Sequence, residues 1–203
     1  WLLRFKASGE RQGQTGSPAT TPAKGILYSW ANIAMPWAME STRKRFSLYV
    51  QFAVFHLGVA AAIILSFIIP YGRWLLESRA LVLAIQLITG AACAVGVLRM
   101  VRRVGSPYMR AISSPDDYFS LALLTVWLFS AVLAAPYGAL AEPSGVAYAQ
   151  ALRLAFVLLT AFFLVYVPFS KISHYLYYPF TRYYLGKSLG YRGVYPVRRG
   201  SKA

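Results

Sequence analysis

Four long apolar runs decide what this chain can become: Phe46 to Ile69, Ala80 to Leu98, Tyr118 to Ala135 and Tyr148 to Phe169. Each is close to the roughly 20 residues an α-helix needs to cross the hydrocarbon core of a bilayer. Lipid offers backbone N–H and C=O groups no partner, so each run must close its hydrogen bonds within itself, as a helix. Composition agrees, because 58% of the 203 residues are hydrophobic and only 13% are charged, too few to coat a water-exposed surface. The expected fold class is an all-α integral membrane protein, a four-transmembrane-helix bundle spanning residues 46–169.

The remaining sequence divides around that bundle. Residues 1–24 are polar and rich in Gly, Ser, Thr and Pro, which predicts an extended arm without recognisable chemistry. Because the chain opens on Trp1 rather than methionine, a segment upstream of it stays open, and no secretory signal pattern is visible. Residues 25–45 hold an apolar stretch too short to span and interrupted by Pro36, so an interfacial segment is predicted, with Trp30 and Trp37 at headgroup depth. Residues 170–203 form an extension of the fourth helix and a basic, Tyr-rich tail. Pro70-Tyr71-Gly72 and Pro136-Tyr137-Gly138 are turn sequences where the first and third runs end. In the second run Thr89, Gly90, Ala91, Ala92 and Gly96 make a small-residue face suited to close helix packing.

The cations choose an orientation. Arg4, Lys6, Arg11, Lys24, Arg43, Lys44 and Arg45 precede the first run; Arg99, Arg102, Arg103 and Arg110 follow the second; Lys171, Arg182, Lys187, Arg192, Arg198, Arg199 and Lys202 follow the fourth. Only Arg73, Arg79 and Arg153 fall at the other face. The positive-inside rule then puts both termini in the cytoplasm, N-in and C-in, in the inner (cytoplasmic) membrane. A net charge of +15 raises nucleic acid as a partner, but a nucleic-acid binder has no use for four apolar runs and no such motif is present. The charge is assigned to anionic lipid or an acidic protein partner. Cys93 is the only cysteine, so this sequence can form neither a disulfide within itself nor a cysteine-ligated cluster.

His56 and His174 are the only histidines. In the predicted topology both lie toward the cytoplasmic face, His56 at most about 15 Å along a helix rising about 1.5 Å per residue. The depths match if the fourth helix continues past Pro168, as Ile172, Tyr175, Leu176 and Tyr178 suggest. An ionisable residue in a span calls for a partner. Two neutral imidazoles can fill both axial positions of one haem iron, an arrangement suited to electron transfer. Gly58 and the alanines at 60 to 62 would leave room for a macrocycle. Arg43, Lys44, Arg45, Lys171 and Arg182 are candidate partners for its propionates. The competing account makes His56 a packed histidine and His174 an interfacial one. Zinc is disfavoured, since a structural zinc wants four ligands.

Three stretches then carry a resemblance: Phe55-His56-Leu57-Gly58, Pro115-Asp116-Asp117-Tyr118, and Pro168-Phe169-Ser170-Lys171-Ile172-Ser173-His174. From about Met35 onward the chain resembles the gamma subunit of respiratory nitrate reductase and its relatives in sulfur-metabolising membrane complexes, and Met39-Glu40-Ser41-Thr42-Arg43 adds a weak further likeness. In that family four histidines hold two haems. Here Ser66 and Phe156 stand where the second pair of ligands would be, so the resemblance implies one haem b, held by His56 and His174 near the cytoplasmic face.

The resulting expectation is a membrane cytochrome b subunit, an electron-transfer component of a quinone-linked oxidoreductase complex. It would relay electrons between quinone in the bilayer and a cytoplasmic iron-sulfur or flavin subunit. Tyr49, Gln51, Lys171 and Tyr175 are polar groups near the predicted site, and Gln86 and Thr89 are intramembrane polar residues that also suit interhelical contact. The alternative of another class is a haem-free membrane anchor or assembly subunit. A transporter would need repeats or broken spans that are not visible.

Overall fold

The computed structural model describes residues 13, 16, 19–35, 43–135 and 143–197. The turn predicted at Pro136-Tyr137-Gly138, the Met39 to Thr42 motif, and Pro36 and Trp37 lie outside these. The described residues are helical almost throughout, with no strand among them. Helices are α1 (Pro22–Ala31), α2 (Phe46–Tyr71), α3 (Arg79–Gly105), α4 (Pro107–Ala111), α5 (Pro115–Ala134), α6 (Pro143–Tyr166) and α7 (His174–Tyr191). Four of them, α2, α3, α5 and the Gln150–Phe169 stretch that begins in α6, are long and apolar enough to cross a membrane. The chain is a multi-pass membrane protein.

The ends of these helices follow from local chemistry. α2 stops after Pro70, which has no N–H to donate, and Gly72 closes the end by donating its N–H to the Ile68 carbonyl at 2.8 Å. Arg102 and Arg103 sit in the last turn of α3, where cations complement the carbonyl end of the helix dipole. α5 begins with Pro115 in its first turn, and the Ser114 N–H donates to Asp117 Oδ2 at 2.7 Å, a capping-box arrangement.

The described residues fall into two compact units. One, Arg45–Ser173, contains the four spans. Its core interleaves alanines with aliphatic and aromatic side chains such as Leu65, Leu128 and Phe156, because between lipid-facing helices the gain comes from close packing rather than from expelling water. Gly58 of α2 lies so close to α3 that an added Cβ would collide with the Ala92 Cβ. A Cβ at Gly96 of α3 would stand 2.5 Å from Thr125 Oγ1 of α5. Of the predicted small-residue face of the second run, Thr89, Ala92 and Gly96 are buried at the seam of α3, while Gly90 is half-buried and Ala91 is exposed. α5 and α6 are joined by Trp127, whose indole N–H donates to Thr160 Oγ1 at 2.8 Å and whose ring stacks on Phe156 at 5.8 Å. Large apolar side chains such as Leu87 (72% exposed) and Val165 (70%) point outward, as lipid-facing residues should.

The other unit joins segments from both ends of the chain, α1 and α7. Gly25 and Ser29 on α1 meet Gly186 and Gly190 on α7, each pair four residues apart and so on one helix face. A Cβ on Gly186 would come within 2.6 Å of the Gly25 carbonyl oxygen, so only glycine permits this approach. Trp30 donates its indole N–H to the Pro179 carbonyl at 3.1 Å, and Thr20 donates its hydroxyl to the Gly190 carbonyl at 2.9 Å. The stretch 25–35 and the basic tail, separate in the sequence reading, are therefore one packed pair.

One expectation is overturned. The fourth helix does not continue past Pro168: α6 ends at Tyr166, a 3-10 turn covers Val167–Phe169, and Ser170 is extended. Pro168 cannot donate to the helical ladder, and Ser170 takes over locally, its hydroxyl donating to the Val167 carbonyl at 3.1 Å and accepting the Ile172 N–H at 3.2 Å. A second 3-10 turn, Lys171–Ser173, precedes a fresh helix that starts at His174.

Candidate functional site

His56 is set by the rotation of α2. Phe55, Gly58, Ala62 and Leu65 are its buried positions, a helical stripe that faces the bundle. Gly58 closes on Ala92, and the Arg99 guanidinium lies over the Phe55 ring at 5.0 Å. With those positions turned inward, His56 and Leu57 are carried to the exposed face. The imidazole Nδ1 is 2.7 Å from the Phe52 carbonyl oxygen, and the ring rests 4.1 Å from the Phe52 ring. A carbonyl can only accept, so Nδ1 carries the proton in this contact and the ring lone pair is on Nε2.

His174 is the first residue of α7 and is exposed. It belongs to the unit built from the chain ends, whereas His56 belongs to the bundle. The room predicted beside Gly58 is not there: that surface is closed by Ala92, and Ala62 is wholly buried, while Ala60 is exposed. At the positions where the family resemblance implies further ligands, the Ser66 hydroxyl donates to the Ile63 carbonyl of its own helix at 2.6 Å. Phe156 is 0% exposed and packed on Trp127. Neither side chain offers an imidazole nitrogen.

All five predicted propionate cations fall within the described residues. Arg43, Lys44 and Arg45 are exposed. Lys171 and Arg182 are engaged within their own units. Lys171 donates to Asp117 Oδ2 at 2.9 Å and to Ser114 Oγ at 2.8 Å. Arg182 donates from Nε to the Ser29 carbonyl at 3.0 Å and lies over the Tyr178 ring at 5.6 Å. Of the intramembrane polar residues, Gln86 reaches across to α5, donating from Nε2 to the carbonyls of Ala135 (3.1 Å) and Val132 (3.4 Å). Thr89 turns back on its own helix, donating to the Ile85 carbonyl at 2.6 Å.

Sequence reasoning missed a polar cluster where α5 begins and α6 ends. Tyr166 donates to Asp116 Oδ1 at 2.6 Å, and the Ser120 hydroxyl lies 2.8 Å from the Tyr166 hydroxyl. Beside it, Asp117 receives Lys171 and stands 3.7 Å from Arg103 Nη1. The signal was available: Asp116 and Asp117 are two of only six acidic residues, and an even number of crossings brings the start of the third span and the end of the fourth to one face.

Comparison with known proteins adds no relative: no family model, no curated protein and no solved structure matches the chain.

Proposed function

We propose that this chain is a membrane cytochrome b subunit that passes electrons between quinone in the bilayer and an iron-sulfur or flavin subunit in the cytoplasm. The observation that carries this reading is the contact between His56 Nδ1 and the Phe52 carbonyl at 2.7 Å, on the outward face of a spanning helix. A backbone carbonyl on one imidazole nitrogen is the usual way a protein fixes the other nitrogen as a metal ligand and raises its basicity. His56 Nε2 and a nitrogen of His174 would hold one haem b, which supplies one-electron transfer when bound.

The chain's own residues do the rest. Phe55 and Gly58 set the orientation of His56, and Lys171, ion-paired to Asp117, anchors the chain three residues before His174. Arg43, Lys44 and Arg45 are exposed and adjacent to the first span, on the side that the charge pattern gives to the cytoplasm, where carboxylates of the cofactor or of an acidic partner surface would lie. Asp116, accepting from Tyr166 and Ser120, holds the start of α5 to the end of α6, beside the Lys171–Asp117 pair. The orientation that follows from charge is both termini in the cytoplasm, in the inner membrane, with the basic tail against anionic lipid or the partner. The likeness to the nitrate reductase gamma subunit and its sulfur-metabolising relatives supports the same assignment.

The test is the reduced-minus-oxidised absorbance spectrum of the purified full chain. A b-type band is expected, and it should vanish in both His56→Ala and His174→Ala. A spectrum without the band would leave the chain as a haem-free anchor, and an unchanged band in either variant would remove that histidine as a ligand.

A further inference from the structure

α1 and α7 meet through a seam of glycines, so the rotation of each helix is fixed and each offers a defined outward face. On α7 the seam side carries Arg182, Gly186 and Gly190, each four residues from the next. Tyr177, Phe180, Tyr184 and Tyr191, spaced by three, four and seven, make a second stripe turned away from it. They are 58%, 66%, 54% and 42% exposed, in that order. Tyr183 extends this stripe toward α1: its ring lies 5.5 Å from that of Tyr184 and 6.4 Å from that of Trp30, which is also exposed. One continuous aromatic surface therefore crosses from α7 to α1. Exposed rings gathered in this way mark a surface that something covers.

Charge and residue type indicate what covers it. Residues 19–35 and 174–197 hold Lys24, Arg182, Lys187 and Arg192 and neither Asp nor Glu, so every side-chain charge on this pair is positive. Lys187 is exposed and stands on the aromatic surface itself, its Nζ 5.9 Å from the centre of the Tyr183 ring. Such a surface complements anions. Trp and Tyr, each with an apolar body and a polar tip, are the side chains that settle at the level of lipid headgroups. The chain also keeps α7 beside the bilayer, because the helix begins at His174, shortly after the fourth span ends at Phe169. We propose that the aromatic surface of the α1–α7 pair, Trp30, Tyr177, Phe180, Tyr183, Tyr184 and Tyr191, rests in the headgroup layer of an anionic membrane, with Lys187 meeting lipid phosphate. The interfacial placement expected of Trp30 then extends to the whole pair. Neither histidine takes part, so this surface stands apart from the cytochrome reading.

The test uses the full chain in lipid nanodiscs, in a Cys93→Ala background, with one nitroxide label at Phe180→Cys or at Leu185→Cys, an exposed position turned about 140° away on the same helix. Access of oxygen, which concentrates in lipid, and of a water-soluble nickel chelate reports where each label sits. In phosphatidylglycerol discs the label at position 180 is expected to favour oxygen and the label at position 185 the chelate. Lys187→Gln should lower the ratio of embedded to free label at position 180 about fivefold, the weight of one cation at an anionic surface, and phosphatidylcholine discs should lower it at least as far. Equal access at the two positions overturns the embedded face. A ratio unchanged in Lys187→Gln overturns the contact of Lys187 with phosphate, and one unchanged in phosphatidylcholine overturns the anionic headgroup. A label at position 180 closed to oxygen and chelate alike shows a protein cover, and overturns the membrane as the occupant.

Discussion

Tyr166, in the last turn of α6, donates its phenolic hydrogen to Asp116 in the first turn of α5 across 2.6 Å. Residues 50 positions apart in sequence are thereby joined where one span begins and another ends. Tyr166→Phe and Asp116→Ala should each lower the melting temperature of the detergent-purified protein. The double variant should fall little further than the worse single one, because both remove the same bond. Circular dichroism melting of the three variants measures this.

Gly58 is where α2 and α3 touch most closely. Gly58→Val should force the two helices apart, at a cost of about 1–3 kcal/mol typical of overpacking. Gly58→Ala should be milder, and pairing it with Ala92→Gly should restore much of the loss. Denaturant titration in mixed micelles measures both.

Trp127 ties α5 to α6 through its indole N–H and through stacking on Phe156. Trp127→Phe keeps an aromatic ring and removes the donor to Thr160, so it should cost about 1 kcal/mol, close to what interhelical hydrogen bonds contribute in membranes. Thr160→Val should cost a similar amount, and the two changes should not add.

Gly186→Leu should separate α7 from α1 while sparing the four-span unit, to which neither helix belongs. Faster protease cutting near Trp30 with unchanged protection of the spans is the expected pattern. A shift in Trp30 fluorescence should accompany it, as the indole loses the Pro179 carbonyl.

The spans were legible because lipid leaves the backbone no other choice, and the Pro70-Tyr71-Gly72 exit was legible because proline ends a hydrogen-bond ladder. The break at Pro168 was misread. Apolar residues at Ile172 and Leu176 imitate a continuing helix, while the decisive contacts are made by one serine hydroxyl at Ser170. The pairing of α1 with α7 was hidden differently: neither segment is apolar enough to announce a partner, and the Gly25/Ser29 and Gly186/Gly190 spacings gain meaning only together. Of the candidate site, the two histidines stood out by rarity. That Phe52 would orient His56 was invisible, since a backbone carbonyl has no signature in sequence. Lys171 and Arg182 show the converse, cations whose partners, Asp117 and the Ser29 carbonyl, lie far along the chain.

The union of α1 with α7 carries a consequence for biosynthesis. Trp30 and the Pro179 carbonyl it grips are separated by 149 positions, so the early helix leaves the ribosome long before its mate exists. The glycine face of α1 can meet its partner face only once α7 has been made, so this part of the molecule closes after the four spans between them have been synthesised.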